Sequence, residues 1–149
     1  MNIEILANHL CFEKIFKNNQ NDDGTYNWLK ISKIKNLPTS FIDKYFFQIY
    51  SYQNLEKSGN LSLHIIKKYG NYLNWTTLLM CQNIDEKLII QFQDKINFKI
   101  CVMFQDLSFD FLKKYRHKFN LNNLECNTVI KKETIEQFKT YLASLDDNN

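Results

Sequence analysis

Residues Leu61–Tyr69 read Leu-Ser-Leu-His-Ile-Ile-Lys-Lys-Tyr, and this arrangement of apolar and polar residues returns twice further along the chain. Ile84–Phe92 reads Ile-Asp-Glu-Lys-Leu-Ile-Ile-Gln-Phe and Leu107–Tyr115 reads Leu-Ser-Phe-Asp-Phe-Leu-Lys-Lys-Tyr, each 23 residues after the copy before it. Self-similarity at a fixed period is the signature of a repeat protein, in which every copy is one structural unit. This stretch therefore predicts a chain built from tandem repeats.

Apolar residues recur at fixed distances from the start of each repeat. The positions 4, 5, 8 and 12 residues after the start lie on one face of an α-helix, and the alternation of a strand does not fit them. The repeats begin at Leu37, Leu61, Ile84, Leu107 and Ile130, with a first interval of 24 residues because one residue is added. The four apolar columns are Phe41, Ile65, Leu88, Phe111 and the exception Thr134; Ile42, Ile66, Ile89, Leu112 and Ile135; Tyr45, Tyr69, Phe92, Tyr115 and Phe138; and Ile49, Leu73, Ile96, Phe119 and Leu142.

Residues that favour the start of a helix precede each apolar face. Ser62, Asp85 and Ser108 are expected to act as N-caps, although no glutamate follows them to complete a capping box. A second set of caps is expected to begin a second helix in each repeat. It comprises Asn27, Asn74, Asn97 and Asn120, together with Ser51 before Tyr52. The expected unit is a helix of about 11 residues, a cap, a helix of about 8 residues and a short turn.

Helices this short are marginal in isolation, so neighbouring repeats must bury their apolar faces. The sequence therefore predicts an all-α fold, a short α-solenoid of tandem two-helix repeats. The helical spacing of Ile3, Leu6 and Leu10 predicts an N-terminal capping helix, and the polar stretch Asn18–Gly24 predicts a loop. We expect a single domain over 1–149, with the capping helix and loop at 1–25, the repeats at 26–142 and a polar tail at 143–149.

The composition disfavours several classes of protein. Apolar residues make up 44% of the chain and aromatic residues 15%, which is too rich for a disordered chain. With 3 glycines and 1 proline, the chain lacks the turn residues of a typical all-β protein. No apolar run approaches the roughly 20 residues of a membrane span, and the N-terminus has no signal-peptide pattern. We therefore expect no membrane association and a reducing, non-secreted location.

The cysteines do not form a predicted metal site. Cys11, Cys81, Cys101 and Cys126 are separated by at least 20 residues in the sequence, whereas a zinc site requires close pairs of Cys or His. Cys101 falls in a column of leucines, Cys126 in a column of methionines, and Cys81 in the column of Phe104. We therefore expect these thiols to pack as small apolar residues.

No residue is expected to be catalytic or to hold a cofactor or a metal. His64 falls in the column of Lys87, Asp110 and Glu133, which predicts a solvated face. The three glycines are isolated, so the sequence contains no phosphate-binding loop.

One basic run is the candidate contact surface. Lys113-Lys-Tyr-Arg-His-Lys118 places basic residues around an aromatic one, a composition that can follow a phosphate backbone. Its lysine pair falls in the columns of an earlier lysine pair, the solvated flank of an amphipathic helix, and a net charge of +3 is mild for a nucleic-acid binder. The solvated flank is therefore favoured over a nucleic-acid contact. The candidate basic contact residues are Lys67, Lys68, Lys113, Lys114, Arg116 and Lys118.

The pattern Leu-Ser-x-x-Phe/Ile-Ile/Leu-x-Lys-Tyr-x-x-x-Leu/Ile-Asn-Trp, followed by Gln-x-Leu, resembles a short helical repeat that recurs in proteins of large DNA viruses. The resemblance covers Tyr26 to Leu142, and Leu61–Gln82 and Ile84–Gln105 match best. The tryptophan is replaced in three repeats, and the last repeat lacks its second helix. The resemblance implies a viral origin and a binding or structural role, since no catalytic residues belong to the motif.

Stacking accounts for every regular column, so only the variable outer residues are left for recognition. We expect a non-enzymatic repeat protein that mediates protein–protein interaction with a viral or host protein, in the host cell cytoplasm or the virion. Two alternatives are a virion structural or assembly component that self-associates, and a nucleic-acid-binding protein that uses a basic helix face.

Overall fold

A computed structural model describes residues 3–50, 54–59 and 61–146 of the chain. These residues form ten α-helices and three short 3₁₀ helices and contain no β-strand, so the predicted all-α class is confirmed. An isolated antiparallel bridge joins Gln20 and Tyr26 in the loop after the first helix. Over the same residues, none of the helices has both the length and the apolarity that crossing a membrane requires.

The first compact unit, Met1–Leu73, is organised around one central helix. Its helices are α1 Ile3–Asn18, α2 Trp28–Ser32, α3 Thr39–Tyr50 and α4 Leu63–Tyr69, with a 3₁₀ helix at Glu56–Ser58. Helices α1, α2 and α4 each pack against α3. The Phe12 ring of α1 meets the buried Phe41 ring of α3 edge-on, with the ring centroids 4.9 Å apart. The predicted N-terminal helix therefore forms and covers apolar residues of the first repeat.

The second compact unit, Asn74–Asn149, places equivalent helices of successive repeats side by side. Its helices are α5 Trp75–Cys81, α6 Glu86–Gln91, α7 Phe98–Phe104, α8 Phe109–Tyr115, α9 Leu121–Glu125 and α10 Lys132–Asp146, with 3₁₀ helices at Gln93–Lys95 and Arg116–Lys118. Helix α5 packs against α7 and α7 packs against α9, while α8 packs against α10. The second helices of three repeats thus form one row within this unit.

The predicted N-caps of the first helices are confirmed. The side chains of Ser62, Asp85 and Ser108 each accept a hydrogen bond from a backbone N–H in the first turn of α4, α6 and α8. The Ser108 cap has a further support from the preceding repeat. The Glu86 carboxylate accepts hydrogen bonds from the Ser108 backbone N–H at 2.6 Å and from its hydroxyl at 3.1 Å. The glutamate of a capping box accepts a hydrogen bond from the backbone N–H of the N-cap residue, and here the carboxylate of Glu86 from the preceding repeat does so.

The predicted asparagine caps of the second helices are also confirmed. The side chains of Asn27, Asn74, Asn97 and Asn120 accept backbone hydrogen bonds at the starts of α2, α5, α7 and α9. Asn120 and Asn123 exchange hydrogen bonds as a reciprocal capping box. The predicted start at Ser51 and Tyr52 lies outside the described residues.

In the three middle repeats, the first helix is shorter than the predicted length of about 11 residues, whereas α3 contains 12 residues and α10 contains 15. Helices α4, α6 and α8 contain 7, 6 and 7 residues. The backbone leaves the helical region 8 residues after the repeat start, at Tyr45 (φ −118°, ψ 25°), Phe92 (φ −112°, ψ 24°) and Tyr115 (φ −104°, ψ 14°). A 3₁₀ helix follows two of these breaks. The apolar positions 8 and 12 residues after the start remain 4 residues apart whether the chain between them is an α-helix or a 3₁₀ turn. The apolar periodicity therefore does not show where the α-helix ends.

Most residues of the predicted columns lie in the core of their unit, whereas Tyr45, Phe119 and Leu142 are half-buried. In the first four repeats, the residues 4 and 5 positions after the start are at most 5% exposed. The inner column of the second helices is at most 2% exposed; it comprises Ile31, Leu55, Leu78, Cys101 and Leu124. In the last repeat, Thr134 and Ile135 are only half-buried.

Helix α10 runs four residues beyond Leu142, which differs from the polar tail expected from residue 143 onward. The segment contains no glycine or proline, and Ala143 and Leu145 favour a helix, so nothing in its local chemistry ends the helix at Leu142. Residues 147–149 lie outside the described part of the chain.

Candidate functional site

The six predicted basic contact residues fall in both compact units. Lys67 and Lys68 lie in the last turn of α4 in the first unit, and the other four lie in the second unit. The Lys68 ammonium is 2.7 Å from a carboxylate oxygen of Asp43 and 5.2 Å from the centroid of the Tyr69 ring. The hydrogen bond to Asp43 raises the pKa of Lys68. Lys68 is therefore already paired, and Lys67 is the exposed lysine that remains on α4.

Asp43 receives hydrogen bonds from two residues of the following repeat. Besides Lys68, the Tyr69 hydroxyl donates to the Asp43 carboxylate and to its backbone carbonyl, each at 2.9 Å. The imidazole Nε2 of His64 lies 3.6 Å from the same carboxylate, and its side chain is exposed, as the sequence predicted. The hydrogen bond from Lys68 is the main cause that lowers the pKa of Asp43. This polar cluster joins two repeats and has the chemistry of a structural contact.

The basic residues of the second unit form a surface of their own, which we call the basic surface: Lys113, Lys114, Arg116 and Lys118. Lys113 and Lys114 are exposed in the last turn of α8, and Arg116 is exposed in the 3₁₀ helix that follows. Within the described part of the chain, none of the four forms an ion pair.

Aromatic rings lie beneath the basic surface. The Lys118 ammonium is 4.5 Å from the centroid of Phe98 and 5.6 Å from that of Tyr115, while Lys114 lies 5.2 Å from Tyr115. Both rings are only 5% exposed. These cation–π contacts hold the lysine side chains over the core while their charges face solvent.

The cysteines behave differently from one another, and two predictions about them were wrong. Cys101 is fully buried, as predicted, and burial raises the pKa of its thiol to about 12. Cys81 and Cys126 are exposed instead of packed, and Cys11 is half-buried. Met80, in the column of Cys126, is 53% exposed, and Phe104, in the column of Cys81, is 37% exposed. An apolar column is therefore not always a buried one.

Among the described residues, no group of three or more His, Cys, Asp or Glu side chains is arranged to hold a metal ion. His9 and Glu13 lie 3.5 Å apart on the exposed side of α1. His117 is exposed in the 3₁₀ helix after α8.

Phe47 and Tyr72 form an exposed aromatic pair that was not predicted from the sequence. Phe47 is 58% exposed and Tyr72 is 50% exposed, and their rings meet edge-on with centroids 5.3 Å apart. We call this pair the aromatic surface. Beneath it, the buried Phe46 ring stacks on the Tyr69 ring at 3.8 Å, and the Tyr50 hydroxyl donates to the Tyr72 carbonyl. The pair is therefore supported by a layer of packed rings.

The repeat alignment contains a signal that marks this pair. Ten residues after each start, Phe47 stands where the other repeats carry polar residues: Asn71, Asp94, His117 and Thr140. Eleven residues after the start, Tyr72 stands where three repeats carry Gln48, Lys95 and Lys118, and only the last repeat carries an aromatic residue, Tyr141. The repeat fold does not require aromatic residues at these positions, since polar residues occupy them elsewhere in the same chain.

Comparisons of the chain with protein-family models, with curated protein sequences and with solved structures found no significant match.

Proposed function

We propose that the chain is a non-enzymatic helical-repeat protein that binds another protein, and that its repeats stack as a short α-solenoid. The single observation that carries the binding role is the aromatic surface formed by Phe47 and Tyr72. Rigid aromatic side chains that project from a packed scaffold are typical anchors of protein–protein interfaces, because they bring a large contact area at low cost in conformational entropy.

The solenoid is supported by the row of second helices and by a contact that recurs with the repeat. In the second unit, the side-chain amide of Gln105 donates to the carbonyls of Leu79 and Gln82. The side-chain amide of Asn127 donates to the carbonyls of Val102 and Gln105. These two carbonyls lie 23 residues after those of Leu79 and Gln82. Contacts that repeat with the sequence period are expected of a stack in which each repeat meets only its neighbours.

The absence of an enzymatic role is part of the same proposal. The Cys101 thiol is kept protonated by burial, so it is a poor nucleophile at neutral pH. His64 and Lys68 share the carboxylate of Asp43 in a contact between two repeats. These groups have structural partners that account for their positions.

The resemblance to repeats of large DNA viruses supports a proposed viral origin, with a viral or host protein as the partner. Action in the host cell cytoplasm or the virion is part of this proposal. Its support is the motif in Leu61–Gln82 and Ile84–Gln105, whose asparagine caps and whose glutamine, Gln105, have defined structural roles in the second unit.

The test replaces the aromatic surface with residues that the repeat already uses. In the double variant Phe47→Asn and Tyr72→Lys, each new residue is one that another repeat carries at the equivalent position, Asn71 and Lys95. We therefore expect this variant to fold normally. Affinity capture from cells that express each form should enrich partner proteins with the original chain and lose them with the double variant. Binding of each captured protein is then measured again with purified components.

The matched control is Leu63→Glu. Leu63 is 51% exposed, and the repeat that starts at Ile84 carries Glu86 at the same position. We expect this variant to retain the partners, because it removes an exposed apolar residue outside the aromatic surface. Equal enrichment of the same proteins by the original chain and by the double variant would contradict the proposed role of the aromatic surface.

A further inference from the structure

The basic surface is not required by the fold of the repeat. In the repeat that starts at Ile84, the positions equivalent to Lys113, Lys114 and Arg116 are occupied by Ile90, Gln91 and Gln93. That repeat still forms a helix, α6, followed by a 3₁₀ helix, as the repeat with the basic surface does. Cations stabilise the C-terminus of a helix, but the helix forms without them in the repeat that starts at Ile84. Helix stabilisation therefore does not explain the presence of Lys113, Lys114 and Arg116.

The three lysines contact aromatic rings of the second unit, but the four charges are not neutralised by a carboxylate in its described part. None of them forms an ion pair there, whereas Lys139 in α10 is paired with both Glu125 and Glu136. The unit contains carboxylates that lysines can reach, but Lys113, Lys114, Arg116 and Lys118 pair with none of them in the part of the unit that the structure describes. Its charge is therefore directed at solvent or at a partner.

A nucleic acid does not fit the surroundings of this surface. Binding of single strands depends on exposed aromatic rings on which bases stack, and the rings of Phe98 and Tyr115 are buried beneath the lysines. The sequence of the second unit carries as many acidic as basic residues, so it has no excess charge to attract a long polyanion.

An acidic face borders the basic surface. The Lys113 ammonium lies 5.1 Å from the Tyr141 ring, and Tyr141 lines a shallow cavity of about 800 Å³ together with Glu133 and Glu136. A phosphate backbone that continued past Lys113 would meet these carboxylates. A short acidic segment that ends at the basic surface would not reach the carboxylates of Glu133 and Glu136.

We propose that the basic surface binds a short acidic segment of a partner protein through Lys113, Lys114, Arg116 and Lys118. This rests on the proposed function, because it specifies the chemistry of a partner contact on a unit other than the one that carries the aromatic surface. The planar guanidinium of Arg116 can donate two parallel hydrogen bonds to one carboxylate. The lysines add positive charge on the same helix end, which favours a segment with several carboxylates over a single one.

The test compares two defined polyanions on the full chain. Fluorescein-labelled poly-glutamate peptide and single-stranded oligo-dT of equal net charge are titrated in low salt, and binding is followed by fluorescence anisotropy. We expect poly-glutamate to bind more tightly than oligo-dT. A triple variant, Lys113→Glu, Lys114→Gln and Arg116→Gln, should weaken poly-glutamate binding about tenfold, since exposed charge pairs each contribute roughly 0.2–1 kcal/mol.

The triple variant uses only residues that equivalent positions already carry, Glu136, Gln91 and Gln93, so folding should be preserved and is checked by circular dichroism. Lys87→Glu is the control, because equivalent positions in two other repeats carry Asp110 and Glu133. It lowers the net charge by 2 on α6, half the change of the triple variant, and should leave poly-glutamate binding unchanged.

Two results would overturn the proposal. One is poly-glutamate binding that the two variants weaken in proportion to their changes in net charge, −4 for the triple variant and −2 for Lys87→Glu, which would indicate attraction to the overall charge. The other is tighter binding of oligo-dT that the triple variant removes, which would identify a nucleic-acid surface. Neither result affects the test of Phe47 and Tyr72, whose readout is the set of captured proteins, so the two proposals fail independently.

Discussion

The side-chain amide of Asn127 donates a hydrogen bond to the backbone carbonyl of Gln105, and the two atoms lie 2.9 Å apart in the core of the second unit. Gln105 itself donates to the carbonyl of Gln82, also at 2.9 Å, one repeat earlier. The oxygens of the two amides accept hydrogen bonds from the backbone N–H groups of Ile84 and Ile130, the first residues of two repeats. Buried amides therefore join the end of one repeat to the start of the next.

Replacing Gln105 with leucine should destabilise the protein. Gln105 is fully buried, and its loss removes hydrogen-bond partners from the Ile84 N–H and from the carbonyls of Leu79 and Gln82. Because a buried polar group without a partner costs about 1–3 kcal/mol, we expect the free energy of unfolding to fall by about 3 kcal/mol. Urea denaturation followed by circular dichroism measures this change.

The control for Gln105→Leu is Gln91→Leu, since Gln91 is an exposed glutamine on α6. Its free energy of unfolding should stay within about 0.5 kcal/mol of the original. Equal stability of the two variants would show that the amide of Gln105 does not join the repeats.

Exchange of tyrosine for phenylalanine should have different effects at two equivalent positions. The sequence predicts tolerance throughout this column, because it already contains both residue types. The Tyr69 hydroxyl, however, makes two hydrogen bonds with Asp43, whereas the Tyr115 hydroxyl makes none within the described residues. We expect Tyr69→Phe to lower the free energy of unfolding by about 1 kcal/mol and Tyr115→Phe to change it by less than about 0.5 kcal/mol.

The comparison of the two tyrosine variants is made by urea denaturation at neutral pH, where the Asp43 carboxylate is ionised. Similar losses at both positions would mean that ring packing, and not the hydroxyl, determines the cost. Asp43→Ala provides a further check, because it removes the side-chain acceptor of the Tyr69 hydroxyl and should reduce the difference between Tyr69 and Phe, while the backbone carbonyl at position 43 still accepts.

A charge placed in the core column should unfold the chain locally or globally. Ile89 is fully buried on α6, and an unpaired buried carboxylate costs several kcal/mol. We expect Ile89→Asp to lose most of its helical circular dichroism signal, while Lys87→Asp on the exposed side of the same helix keeps it. A fully helical and stable Ile89→Asp variant would show that the helix register is wrong.

The cysteines should differ in reactivity towards a thiol reagent such as Ellman's reagent. Cys81 and Cys126 are exposed and should react quickly at pH 8, whereas Cys101 should react only after unfolding. Burial raises the pKa of Cys101 from 9.0 to about 12, so the folded state holds its proton more tightly than the unfolded state. The resulting stabilisation is fully present below about pH 9 and is lost as the pH rises towards 12.

Mass spectrometry of the labelled peptides identifies which thiols have reacted. In a Cys101→Ala variant, the fast reaction of Cys81 and Cys126 should remain. Rapid labelling of Cys101 under native conditions would contradict its burial.

Some features followed from the sequence because they depend on local chemistry. The asparagine caps and the caps at Ser62 and Ser108 were predicted correctly, since an N-cap needs only the right side chain one position before a helical face. The exposure of His64 was also predicted, because its column contains charged residues. The predicted length was wrong for the first helices of the three middle repeats. In two of them, a 3₁₀ turn after Phe92 or Tyr115 preserves the apolar spacing that suggested a longer helix.

The candidate surfaces depended more on tertiary contacts. The basic residues were found in the sequence, but Asp43 lies 25 residues before Lys68, and only folding brings them together. The exposure of Cys81 and Cys126 was missed, because an apolar or small residue in a column can lie at the edge of a helix row as well as inside it.

The sequence by itself determined the all-α class, the helix caps that the structure describes and most of the core columns. These features arise from periodicity and from interactions between residues a few positions apart. Only the tertiary structure decided which polar side chains are paired and buried, as for Gln105, and which aromatic residues remain exposed, as for Phe47 and Tyr72. The physical reason is that burial and pairing depend on neighbours from other repeats, about 20 or more residues away, which no local pattern encodes.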